Sequence, residues 1–294
     1  HKQGLDIIVV SSGAMAAGRD KLGIWKESRD VPLRQVMAAV GQGRLMQVYE
    51  QFFTEHGIII AQALLTKEDI SDRAGYLNAR NTLSRLLYFR VVPIVNENDV
   101  VAIDEIKGAK FGDNDNLSAM VANLVDAELL MLLGDVSGLH TADPNIDAQA
   151  ELIPRVEVIG AHIEQLAGST PGHRGTGGMA TKIESAKLAS SSGVAVVIAP
   201  GRFPEVILRI VQGEPIGTFF PPATTKLESR KRWMISGLAC RGKVIVDTGA
   251  VTALKKRKGS LLPAGVRRVE GEFNRGDAIE VVDKQGNPVA RGIT

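Results

Sequence analysis

Short apolar runs alternate with segments of helical periodicity through the first two thirds of the chain. Consecutive apolar residues bounded by turn residues predict buried strands, and apolar residues recurring every three or four positions predict helices. Such alternation predicts an α/β fold, a three-layer α/β/α sandwich with a mostly parallel sheet. The expected strands are residues 7–10, 58–65, 91–95, 129–133 and 194–199, and the expected helices are 14–17, 33–55, 75–89, 116–125, 179–189 and 204–211.

The pattern changes near residue 225, where we place a domain boundary. Residues 226–268 hold twelve basic and two acidic side chains, a local balance of +10 in a chain whose formal charge is +2. Short runs separated by turn residues then predict a small β-barrel that ends before it closes. The expected strands there are residues 243–247, 266–270, 278–283 and those from 288 onward, and the expected domains are 1–225 and 226–294.

Composition narrows the class of protein. The 294 residues are 44% hydrophobic and 23% charged, which is typical of a folded globular protein and not of a disordered one. The single Cys240 cannot form an intrachain disulfide, which favours the reducing cytoplasm. No apolar stretch approaches the roughly 20 residues of a membrane-spanning helix. The five scattered histidines and the lone cysteine predict no zinc site.

Three polar turns stand next to expected strands or helices. Residues 11–14 (Ser-Ser-Gly-Ala) follow the first strand, residues 96–99 (Asn-Glu-Asn-Asp) follow the third, and residues 112–116 (Gly-Asp-Asn-Asp-Asn) open a helix. Ligands of parallel sheets bind beyond the carboxyl ends of strands, so the residues of these turns are candidates for ligand binding. A serine-capped turn, a polar connection and a helix cap are the alternative explanations. The spacing in the third turn excludes an EF-hand.

Two further segments have features of a phosphate site. Gly134 and Asp135 follow the strand at 129–133, where they either line a nucleotide or merely connect two elements. Residues 172–182 contain a glycine-rich stretch followed by Lys182, without the Gly-Lys-Ser/Thr of a Walker A loop. A flexible surface loop is the alternative, but the lysine favours phosphate binding. Together with the polar turns, these segments predict phosphoryl transfer to a small polar acceptor.

The ordered set of motifs resembles that of the amino acid kinase family. The resemblance rests on residues 10–14, 96–99, 112–116 and 175–182, and the basic tail is similar to a PUA domain. It implies ATP-dependent phosphorylation of the γ-carboxylate of L-glutamate with Mg²⁺, as the opening step of proline biosynthesis. It also implies a parallel-rich α/β/α sandwich, a cytoplasmic enzyme and a homo-oligomer, either a dimer or a tetramer.

The resemblance also assigns roles to individual residues. One group of residues is expected to bind the acceptor L-glutamate, and another is expected to bind ATP. Lys182 is expected near the transferring phosphate, with Asp115 organising the catalytic lysine. The implied residues are Ser12, Gly13, Asp99 and Asn114 for L-glutamate, Gly134, Asp135, Thr176, Gly177, Gly178, Met179, Ala180, Thr181 and Lys182 for ATP, and Lys182 and Asp115 for catalysis.

The chain departs from the family pattern at three places. No lysine-bearing strand precedes Ile7, so we expect an N-terminally truncated chain with weak turnover. Position 134 is glycine where relatives often have threonine, and the PUA-like tail looks cut short. Two alternatives remain open: another amino acid kinase, acting on N-acetylglutamate or uridylate, and an RNA-binding protein that acts through its basic tail. Trp233 is the one aromatic residue in that basic stretch, whereas stacking platforms use several.

Overall fold

The computed structural model describes residues 1–24, 30–102, 114–144, 146–168, 178–225, 240–257, 261–273 and 278–293. Its strands are β1 Val9–Val10, β2 Ile60–Leu65, β3 Val92–Glu97, β4 Leu129–Gly134, β5 Ala195–Pro200, β6 Thr218–Phe220, β7 Gly242–Val246, β8 Val266–Gly271, β9 Ala278–Val282 and β10 Pro288–Ile293. Its helices are α1 Ala14–Leu22, α2 Val31–Thr54, α3 Lys67–Ser71, α4 Arg73–Tyr88, α5 Asn114–Leu124, α6 Ala161–Gly168, α7 Met179–Ser191, α8 Val206–Val211 and α9 Thr248–Arg257.

The expected α/β fold with a C-terminal β domain is confirmed, with two differences in how strands pair. The strands up to residue 220 form two sheets, ordered β1-β3-β2 and β4-β5-β6, where a single sheet was expected. All neighbours are parallel except β5 and β6, which pair antiparallel. The three-residue β6 was not predicted, because so short a run carries no periodicity.

Helix α5 lies between the two sheets and packs on both. Leu117 and Val121 belong to the apolar cluster that includes β3, whereas Ala119 and Ala122 belong to the cluster that includes β4, β5 and β6. These four side chains are almost fully buried. Each large one contributes roughly 1.5–3 kcal/mol by leaving water. The helix is therefore held on opposite faces, and its first residues, Asn114 and Asp115, lie at the junction of the sheets.

Helices α1 and α2 pack with their backbones in direct contact. A Cβ atom at Gly18 would lie 1.7 Å from the Met37 carbonyl oxygen, and one at Gly41 would lie 1.8 Å from that of Ala14. Only glycine allows so close an approach. The contact fixes α2 beneath the turn that joins β1 to α1.

The C-terminal strands form a separate four-stranded sheet in the order β10-β9-β7-β8. Helix α9 packs on it through Ala250, Val251 and Leu254. Arg241 contacts Asp72, the residue that caps α4, at 3.3 Å, and so joins this sheet's domain to the first. Within the described ranges no helix is both long and apolar enough to cross a membrane.

Candidate active site

The turn after β1 is held by backbone hydrogen bonds at both of its ends. The Ser11 N–H donates to the Val95 carbonyl at 2.8 Å, and the Ala17 N–H donates to the Gly13 carbonyl at 2.9 Å. Gly13 has φ of 109°, a conformation that other residues rarely adopt, and it caps α1. Ser12 is exposed at this turn.

Asn96 lies within β3, one residue before its end, whereas the sequence placed it after the strand. Its side chain is buried and fully engaged. Asn96 Oδ1 accepts from the Glu97 N–H at 2.9 Å, and Asn96 Nδ2 donates to Gln42 Oε1 at 2.8 Å. The end of β3 therefore carries an oriented carboxamide.

Asn114, the first residue of α5, joins the two strand ends. Its Nδ2 donates to the Ser11 carbonyl at 2.8 Å, to Ser12 Oγ at 2.8 Å and to Asn96 Oδ1 at 3.1 Å. Its Oδ1 is buried and has no hydrogen-bond partner among the described residues. The side chains of Ser12 and Asn114 are therefore in direct contact.

Asp115, the next residue of α5, contacts helix α7. Lys182 Nζ donates to Asp115 Oδ1 at 3.0 Å and to Oδ2 at 2.9 Å, and Thr181 Oγ1 donates to Oδ2 at 2.9 Å. The side chains of Lys182 and Asp115 are only 10% and 15% exposed. A buried lysine needs such a partner, because removing either charge would leave the other uncompensated.

Gly134 gives Lys182 room at the end of β4. A Cβ atom at position 134 would lie 3.0 Å from Lys182 Cε, closer than side chains normally pack. The glycine that departs from the family pattern is therefore matched to the path of the lysine. Asp135 is 87% exposed and lies 3.6 Å from Arg202.

Helix α7 begins immediately after Gly178, which is in extended conformation with φ of −81° and ψ of 178°. Thr181 Oγ1 contacts the Gly178 carbonyl at 2.7 Å, and Met179 packs on the core formed with β4 and β5. Ala180 is exposed. Thr176 and Gly177, like Gly112 and Asp113 of the earlier motif, lie outside the described residues.

Asp99 is the predicted substrate residue that the hydrogen bonds do not join to the others. Among the described residues it makes no hydrogen bond to Ser12 or Asn114. It is half-buried in the turn after β3, and this burial raises the pKa of its carboxyl, while Arg34 of α2 acts in the opposite direction. Asp99 therefore carries a partly desolvated charge close to α2.

Sequence reasoning missed two residues of α2 that support the polar turn. Gln42 accepts from Asn96, and the Tyr49 hydroxyl lies 2.9 Å from Ser11 Oγ. The sequence signal that could have drawn attention to them is Gly41-Gln42-Gly43. Glycine is unfavourable within a long helix, so its presence there indicates that another part of the chain packs closely against the helix backbone. The periodicity identified the helix but not what its glycines contact.

The start of α5 thus separates two chemical environments. Asn114 meets uncharged hydroxyl, carbonyl and carboxamide groups, whereas Asp115 meets the cation of Lys182. The first environment suits a small polar molecule, and the second, together with the N-terminus of α7, suits an anion such as phosphate. Consecutive residues of one helix therefore face two different chemical environments.

Comparison with known proteins gives the class. A model of the amino acid kinase family matches residues 1–200, and a model of the PUA domain matches residues 242–294. The chain belongs to the amino acid kinase family. Its curated relatives include proteins named glutamate 5-kinase from Dehalococcoides mccartyi strain CBDB1 (54% identical over 291 residues, covering 99% of this chain and 78% of the relative), Herpetosiphon aurantiacus (49% over 293 residues, 100% and 78%) and Myxococcus xanthus (47% over 291 residues, 99% and 76%).

Proposed function

We propose that the protein is an ATP-dependent kinase that phosphorylates the γ-carboxylate of L-glutamate to γ-glutamyl phosphate, the first step of proline biosynthesis. The observation that carries this function is the division of α5, with Asn114 bonded to Ser12 and Asp115 bonded to Lys182. The glutamate 5-kinase relatives support the choice of acceptor, since they match over essentially the whole chain.

On the acceptor side, we assign L-glutamate to Ser12, Gly13, Asn114 and Asp99. The exposed Ser12 hydroxyl and the Gly13 backbone can donate to a carboxylate, and the free Oδ1 of Asn114 can accept from the ammonium. The half-buried carboxylate of Asp99 adds an opposite charge for the ammonium. A dicarboxylate with one ammonium group thus finds a complementary group for each end.

On the nucleotide side, we assign the ATP phosphates to Lys182 and to residues 176–181, with Gly134 and Asp135 at the edge. Two anions repel each other as they approach, so a kinase site must neutralise charge and hold both groups in line. Lys182 supplies that charge, and Asp115 fixes its position. The N–H groups at the start of α7 add partial positive charge.

Mg²⁺ would supply further charge neutralisation at the phosphates. The described residues contain no group of three or more His, Cys, Asp or Glu side chains that could hold a metal ion. Mg²⁺ commonly binds through substrate phosphates and waters with one or two carboxylates. We therefore propose that it arrives with ATP and is not held in a protein cage.

The test is ADP release by the purified chain with L-glutamate, L-aspartate, N-acetylglutamate or UMP as acceptor. Preference for L-glutamate supports the function, and preference for any other acceptor contradicts it. Lys182→Met should lower kcat by at least about 100-fold, since it removes the transition-state charge. Lys187→Met, on the same helix but exposed and paired with Glu164, is the matched control and should retain activity.

An RNA-binding function of the tail is less well supported. Arg241, Lys243, Arg267 and Arg268 each lie within 3.3 Å of an acidic side chain, so their charges are partly neutralised. This pattern fits a solvated charged face.

A homo-oligomer is part of the proposal. Exposed Phe52, Tyr88 and Phe89 offer apolar area for contact between copies. We also propose a cytoplasmic location, which the unpaired Cys240 fits.

A further inference from the structure

Two backbone groups show which end of each carboxamide beneath Ser12 is the oxygen and which is the nitrogen. The Glu97 N–H donates to Asn96 Oδ1, so Asn96 Nδ2 must be directed to Gln42. The Ser11 carbonyl accepts from Asn114 Nδ2, so turning that carboxamide over would bring two oxygens together. Backbone donors and acceptors have no alternative assignment, which removes the usual ambiguity of amide side chains. The donor and the acceptor of each hydrogen bond in this network are therefore assigned, and we call this set of directions the polarity of the network.

That polarity leaves Asn114 Oδ1 as a buried acceptor to which no described residue donates. Buried polar groups are nearly always paired, and an unpaired one in a binding site points to a ligand that supplies the missing group. An ammonium group has N–H donors and no acceptor, so it complements a carboxamide oxygen. This step rests on the proposed function, which supplies an amino acid as the ligand.

Gln42 stands at the opposite end of the same network. Its Oε1 accepts from Asn96 at 2.8 Å, whereas its Nε2 is buried and makes no hydrogen bond within the described part of the chain. Its neighbour Gly41 lies against the backbone of α1, so this part of α2 cannot shift without disturbing the turn that carries Ser12. Among the described residues, the hydrogen bonds connect Gln42 to Asn114 through Asn96.

We propose that Gln42 is a positioning residue for the amino-acid substrate: by holding Asn96, it keeps the Asn114 carboxamide turned with its oxygen toward the substrate ammonium. Without Gln42 Oε1, the Asn96 carboxamide loses one of its three hydrogen bonds, the one that fixes the direction of Nδ2, and can rotate. Asn114 then loses the acceptor that helps to fix its own orientation. The consequence is specific for the ammonium group and not for the carboxylates of the substrate.

The experiment compares binding of L-glutamate with binding of glutarate, the same dicarboxylate without the ammonium. Dissociation constants are measured by calorimetry on the full chain and on Gln42→Met. Loss of a hydrogen bond to a charged group should weaken L-glutamate binding about tenfold and leave glutarate binding nearly unchanged. A merely structural defect would weaken both ligands equally, and this result would overturn the positioning role.

Two further variants sharpen the test. Gln42→Glu keeps an oxygen for Asn96 and should keep the preference for L-glutamate; loss of the preference in this variant would mean that Nε2 itself contacts the substrate, and would contradict positioning through Asn96. Asn114→Ala and the double variant with Gln42→Met should lose the preference to the same extent, because the two residues act in series. Additive losses would also overturn the inference.

Controls separate this inference from the proposed function. Gln47→Met changes an exposed glutamine of the same helix and should bind both ligands as the unchanged chain does. If the unchanged chain itself does not bind L-glutamate, the proposed function fails and the inference fails with it. If it binds L-glutamate and Gln42→Met keeps the preference, only the role of Gln42 is lost.

Discussion

At the scale of single residues, the site depends on a few ionisable side chains whose burial makes their charged form unfavourable. Asp99 is the clearest case, because burial favours its neutral form while its proposed role needs the ionised form. Lys182 is more deeply buried than Asp99, but Asp115 compensates its charge directly. A carboxylate that is partly desolvated binds an ammonium more strongly than an exposed one does, since the local dielectric is lower. Function and stability therefore make opposite demands on Asp99.

Asp99→Asn should show this opposition. The folded-state pKa of Asp99 lies above the ordinary value of 3.8, so folding makes ionisation of this carboxyl less favourable than in the unfolded chain. Ionisation at neutral pH then destabilises the fold, and this destabilisation disappears as the pH falls through the raised pKa. Asp99→Asn should accordingly be more stable than the unchanged chain at pH 7, while the KM for L-glutamate rises about tenfold.

The measurements are urea unfolding and L-glutamate saturation curves over the acidic range. In the unchanged chain the KM should rise as the pH falls toward the pKa of Asp99, and Asp99→Asn should remove that dependence. The exposed Asp20 serves as the control when changed to asparagine, with neither quantity altered. A stability loss in Asp99→Asn at neutral pH would contradict the assignment.

At the scale of elements, α2 and α5 do most of the positioning, and the sequence predicted both helices without predicting what they hold. The run Leu33 to Glu55 carried a clear helical period, and the structure has α2 at Val31–Thr54. Contacts between distant residues, such as Asp115 with Lys182, have no local signature. The pairing of strands as two sheets was also missed, because periodicity identifies strands and not their partners.

Gly41→Ala tests the contact between α1 and α2. A methyl group 1.8 Å from the Ala14 carbonyl oxygen forces the helices apart, and overpacking of this kind destabilises by roughly 1–3 kcal/mol or more. The helices that support Ser12 should separate, so L-glutamate binding should weaken as well. Both effects are measured on one preparation, by urea unfolding and by calorimetry.

Gly43 provides a matched control two residues along the same helix. A Cβ atom there would meet nothing within 4 Å, so Gly43→Ala should stabilise the chain by up to about 1 kcal/mol through helix propensity alone. Equal stability changes in the two variants would show that the close contact is not a determinant of the fold.

At the scale of the whole molecule, charge is distributed unevenly but is largely balanced where the structure describes it. Residues 226–268 carry a local charge balance of +10, yet four of their described cations lie beside carboxylates. One of these pairs, Arg241 with Asp72, joins the tail to the domain that carries the site. The number of charges can be read from the sequence. The ion pairs that neutralise them cannot, because they join strands and helices that are far apart in the chain.

This balance leads to a prediction about nucleic acids. A protein that neutralises six to ten phosphates loses about 10³–10⁵ in affinity between 50 and 200 mM salt, because bound counterions are released. Lys243, Arg267 and Arg268 are engaged with carboxylates, so the full chain should bind single-stranded RNA only weakly and with a shallow salt dependence. Fluorescence anisotropy with a labelled RNA over that salt range measures both the affinity and its salt dependence.

The positive control is a double variant in which Glu270 and Glu280 are replaced by glutamine. These changes release two cations from their partners and should steepen the salt dependence of RNA binding. Tight, strongly salt-dependent binding by the unchanged chain would instead assign the tail a nucleic-acid function.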